Sequence, residues 1–103
     1  MSRVLYTPLA DRDLESLYLY LHERSEAAAD SYLEDLLTTI WRLADLPYSA
    51  PQRLPNHRDV RVASVRNHLV LYRAFSDGDG IEVLRIVHGA QDWLSDADID
   101  INS

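Results

Sequence analysis

The chain has no cysteine and no lysine, one methionine, one phenylalanine and three glycines among 103 residues. Without cysteine there is no disulfide framework and no thiolate metal site, and a reducing cytoplasm suits the chain. No apolar run reaches the roughly 18 residues that cross a bilayer, and no charged-then-apolar leader opens the sequence. The glycines fall in turns or at a strand end, so no phosphate-cradling loop is expected. His22, His57, His68 and His88 show no short paired spacing, which predicts neither a metal site nor a cofactor. No serine sits in a nucleophile-elbow pattern. Basic charge is also scarce: ten arginines face 17 acids, for a net charge of -7. That balance argues against direct nucleic-acid binding, because such binders carry a basic footprint.

What charge there is lies unevenly. Residues 1–55 are net acidic, residues 56–88 slightly basic, and residues 89–103 hold four Asp and no base. The basic segment contains the most informative stretch, Val60–His88. It reads as three strands, 60–65, 69–75 and 81–88, broken at Arg66-Asn67 and at Asp77-Gly78-Asp79-Gly80. Asn, Asp and Gly suit tight hairpin turns, so the three form an antiparallel meander. Leu69, Val70, Leu71 and Tyr72 run without alternation, as do Val83, Leu84, Ile86 and Val87 around Arg85. Successive strand residues point to opposite faces, so both faces of this sheet need cover.

Upstream, 3–7 reads as a first strand. Thr7-Pro8 then starts a helix, with Thr as N-cap, Pro at the first helical position, and Asp11, Asp13 and Glu15 near the positive end of the dipole. Ala10, Leu14, Leu17, Tyr18 and Leu21 make one apolar stripe, and this helix ends near Glu23-Arg24. Ser25 caps a second helix running to about Leu46, with a stripe from Ala29 and Tyr32 to Leu43 and Ala44. The short link between the two implies a helical hairpin. Pro47, Pro51 and Pro55 mark an irregular crossing to the sheet. Gln91-Asp92-Trp93-Leu94 reads as the start of a last short helix, and 95–103 as an acidic, disordered tail behind a single domain of residues 1–94.

These elements predict an α+β fold, β-α-α-β-β-β, with the helical hairpin on one face of a small, mostly antiparallel sheet. One hairpin covers one face. The other is then expected to be an exposed apolar surface edged by Arg61, Arg73 and Arg85, which marks a partner site. Arginine also suits such an interface because its planar fork is weakly hydrated. Arg61, His68, Arg73, Arg85 and His88 with Tyr72 form the one set with catalytic potential, for a metal-free ribonuclease.

The ordered pieces resemble the ParE toxins of the ParE/RelE superfamily, toxin halves of bacterial type II toxin–antitoxin pairs. They are Thr7-Pro8-Leu9-Ala10 with Asp13-Leu14, Tyr18–Leu21, Ala29 and Tyr32, Leu43-Ala44-Asp45-Leu46-Pro47, Asp59-Val60-Arg61, Leu69-Val70-Leu71-Tyr72-Arg73, and Ile81 through Ala90. The resemblance implies a cognate ParD-like antitoxin whose C-terminal segment wraps the chain, DNA gyrase as the target, and inhibition by binding without catalysis. It places Arg61, Arg73, Arg85, Leu84 and Ile86 against the antitoxin, and His88, Gln91 and Trp93 toward the target. Whether the free chain forms a homodimer through the apolar face is left open by the sequence. The sequence departs from the family at Ser49-Ala50, where a glycine is usual, and at Gln91, where an arginine is usual. A RelE-like, ribosome-dependent mRNA interferase is one alternative; the absence of lysine and of a C-terminal tyrosine separates this chain from those enzymes. A degenerate, non-toxic antitoxin-binding module is the other.

Overall fold

A computed structural model describes residues 2–89. The readings for 91–94 and 95–103, and for Gln91 and Trp93, lie outside that span. The described elements are β1 (Arg3–Tyr6), α1 (Pro8–His22), α2 (Glu26–Asp45), β2 (Arg61–Val65), β3 (His68–Ala74) and β4 (Gly80–His88). The predicted caps are present: the Thr7 side chain accepts from the Ala10 N–H and that of Ser25 from the Ala28 N–H. The Thr7 hydroxyl also donates to the Leu84 carbonyl at 2.8 Å. One buried side chain thus caps α1 and ties it to β4.

The sheet order is β1-β4-β3-β2. β2, β3 and β4 form the antiparallel meander, while β1 lies parallel to β4 with Arg3 opposite Gly80. Between β3 and β4 the register steps: Leu71 faces Arg85 but Tyr72 faces Val83, so Leu84 is the extra residue of a β-bulge. The first hairpin turn places Arg66, rather than Asn67, at positive φ, and the Arg66 Nε holds Asp35 of α2 at 2.7 Å.

Ala10, Leu36, Ile40, Leu43 and Ala44 of the helices pack against Val65, Val70, Tyr72, Ile81, Val83 and Ile86 of the sheet. Tyr72 is fully buried and donates to the Pro47 carbonyl at 2.9 Å. Tyr72→Phe is expected to cost about 1–2 kcal/mol by orphaning that carbonyl. Its urea midpoint should fall without a change in slope.

The second face corrects an expectation. A separate cluster of Leu54, Val60, Val62, Leu69, Leu71, Leu84 and Val87 is buried there, each at most 8% exposed. The proline-rich crossing folds back onto the sheet there. Leu54 and Val60 come from it, and its Pro51 carbonyl accepts from the Val62 N–H at 3.0 Å. Among the described residues, the broad uncovered apolar face that the sequence suggested is therefore not present. Leu84 and Ile86, expected to offer surface together, are 1% and 4% exposed and lie in different clusters.

Candidate functional site

The three arginines do not converge on one surface. Arg61 donates to the carbonyls of Ala50 at 2.7 Å and Tyr48 at 3.2 Å, and its guanidinium lies over the Tyr48 ring. Arg73 pairs with Asp59 at 3.0 Å and approaches Glu82 at 3.6 Å, with its buried Nε making no hydrogen bond. Both therefore hold the crossing segment or its end against the sheet. Arg85 reaches Asp13 of α1 through its Nε at 2.7 Å and Nη2 at 3.2 Å. The same Asp13 carboxylate accepts from the Ile86 backbone N–H at 2.9 Å. It thereby satisfies a β4 edge that β1 is too short to pair.

A cleft of about 470 Å³ opens between α1 and the far ends of β3 and β4. Leu17, Tyr20 and Leu21 of α1 form one wall, with Ile86 and Tyr32 opposite, and Asp13, Ser16, Asn67, His68 and His88 supply its polar groups. α1 gives it an apolar lip because only Ala10 of that helix is buried, while Leu19 and Tyr20 are more than half exposed. The helix meets the sheet at its N-terminal end and leaves the stripe of Leu14, Leu17 and Leu21 half-covered.

At the back of the cleft, His68 and His88 stand directly opposite in the antiparallel pair. Their rings are 5.1 Å apart, edge to face. The Tyr32 hydroxyl lies 2.5 Å from His68 Nδ1 and accepts from the Asn67 N–H at 3.3 Å. Sequence spacing did not reveal this trio, because Tyr32 reads as stripe and the histidines are paired only by strand register. Burial, and then the neighbouring His88, lower the His68 pKa below its usual 6.5. A depressed imidazole pKa means the unfolded chain takes up the proton first. Stability is therefore complete above about pH 6.5 and is lost as pH falls toward the folded value. Urea midpoints from pH 7.5 to 5 should decline, and His68→Gln should flatten that slope.

The carboxylate of the cleft is occupied by Arg85 and by a backbone N–H, and the sheet arginines are tied to the fold. Among the described residues, no helix is long and apolar enough to cross a membrane.

Comparison with known proteins completes the picture. The family described as ParE toxin of type II toxin–antitoxin system, parDE, matches residues 4–93. No curated protein matches the sequence significantly. The chromosomal ParDE toxin–antitoxin system from P. aeruginosa gives a TM-score of 0.68 at 20% identity, over 85% of this chain and 96% of that one. The RelBE2 toxin–antitoxin complex from Mycobacterium tuberculosis gives 0.56 at 23% identity, over 84% and 96%. At these identities the two structures speak to the fold alone. The family match, spanning nearly the whole described sheet-and-hairpin unit, shows that this chain belongs to the ParE toxins of type II toxin–antitoxin systems.

Proposed function

We propose that the chain acts in the cytoplasm as a toxin that inhibits DNA gyrase by binding, and that a cognate ParD-like antitoxin neutralises it. The observation that carries binding over cleavage is the commitment of its cations. Arg85 is held by Asp13, Arg73 by Asp59, and Arg61 by two carbonyls. A metal-free nuclease aims such groups at the phosphate in its transition state. The antitoxin's amphipathic segment would lie along the half-covered α1 stripe and into the cleft beside it. Tyr20 and Leu17 are suited to receive its apolar side chains. Arg73, partly exposed on the opposite face, would meet an antitoxin carboxylate beyond that segment. His88, exposed at the end of β4, would face the target with Gln91 and Trp93.

A gyrase supercoiling assay with the purified chain tests this reading. Loss of supercoiling, restored by adding the antitoxin, is the expected result. Cleavage of ribosome-bound mRNA with supercoiling intact would instead support the interferase reading. Normal growth on expression without antitoxin would identify a non-toxic binding module.

A further inference from the structure

We propose that His68 and His88 form a two-imidazole site for a borderline divalent metal ion, with zinc as the reference occupant, at the end of the β3–β4 ladder. The site is independent of the toxin reading. The two residues are cross-strand partners, and their ring centres are 5.1 Å apart with planes at 73°. Two imidazoles sharing one tetrahedral zinc, at Zn–N distances of about 2.0–2.1 Å, have ring centres about 5 Å apart. The pair already has the spacing that a shared ion requires.

The surroundings add the outer contact that metal-binding histidines commonly have. The Tyr32 hydroxyl engages His68 at Nδ1, which leaves Nε2 as the nitrogen of that ring to meet an ion. Tyr32 is itself fixed by the Asn67 N–H and by the Arg66 guanidinium 4.9 Å from its ring centre. Arg66 in turn is anchored to Asp35 and Ser31 of α2. The ring orientation is therefore set by contacts running back to the helical hairpin.

Room for further ligands exists on both sides. The pair separates the large cleft from a smaller hollow of about 330 Å³ lined by Ser64, Arg66, Leu69 and Gly89. Among the described residues, no group of three or more His, Cys, Asp or Glu comes together as a metal cage. Water from either hollow would complete the coordination, so the site is open and exchangeable. Imidazole donors select zinc, copper or nickel over magnesium and calcium, which take oxygen ligands.

Calorimetric titration of the full chain with zinc chloride tests the proposal, alongside His68→Ala, His88→Ala and, as a control, His57→Gln. One zinc per chain is expected, with copper bound more tightly and magnesium giving no heat. Each alanine variant should weaken zinc by at least about tenfold, the lower bound seen for losing even an outer contact, while His57→Gln binds as the unaltered chain does. A loss below about tenfold in either variant, equal binding of magnesium, or no zinc binding by the unaltered chain would overturn the assignment. Where circular dichroism shows that an alanine variant has not folded, glutamine at the same position gives the reading, since it keeps the bulk and removes the imidazole.

Discussion

Alanine at Gly80 is expected to cost a large share of the folding free energy. Gly80 opens β4 opposite Arg3, at φ +123, a conformation that L side chains rarely adopt. A Cβ there would lie 2.0 Å from the Arg3 carbonyl oxygen and 2.6 Å from its nitrogen. Both are backbone atoms, so no rotamer change relieves the clash; β1 must leave the sheet. The backbone strain alone costs about 1–3 kcal/mol, and the lost strand pairing brings the total to about 4 kcal/mol or more. A domain of this size has about 5–15 kcal/mol in all. Gly78→Ala is the matched control. It also has positive φ, at +73, but its Cβ would meet only the Tyr48 hydroxyl at 3.9 Å. Its cost should stay near about 1 kcal/mol. Urea denaturation of the two variants checks the contrast; equal losses would show that φ, not the approach of β1, sets the requirement.

Asp13→Ala should be the most damaging change at a charged position, with a loss of about 3 kcal/mol. The Asp13 and Arg85 side chains are 17% and 20% exposed, so solvent screens this pair far less than the surface pairs. The substitution deprives Arg85 of its carboxylate and also the Ile86 N–H of its acceptor. Asp13→Asn keeps an oxygen for that N–H and should recover part of the loss. The double variant Asp13→Leu with Arg85→Met should be more stable than the sum of its single changes predicts, by at least about 1 kcal/mol. A double-mutant cycle measures this coupling. Additive losses would mean that the pair acts mainly through something other than its mutual contact.

Much of the architecture was legible because it is local. Thr7-Pro8 and Ser25 place both helix starts to the residue, and the apolar stripes set the hairpin. The strand segments of Val60–His88 appear within a residue or so of their observed bounds. What was hidden depends on contacts between distant residues. Pro47, Pro51 and Pro55 announce a loop, but nothing local says that Leu54 and Val60 turn it onto the sheet. Leu84 and Ile86 are two apart and would share a face in a regular strand. The bulge at Leu84 sends them to opposite sides, which dissolved the surface they were expected to form. Asp13 reads as one of several acids favoured near a helix N-terminus, yet it reaches Arg85 and the β4 edge. The His68–His88 pair needed the β3–β4 register, which two apolar runs of similar composition leave undetermined.

The chain's opening strand finds its only described neighbour in its last strand, and Thr7 bonds a carbonyl 77 positions downstream. During synthesis, then, β1 has no described strand to join until β4, which opens at Gly80, has left the ribosome. Products of premature termination before Gly80 lack the strand that β1 requires, and long-range closure of this kind is slow to complete. Such fragments would lack the completed sheet, and a newborn molecule would have an interval before its two ends are joined.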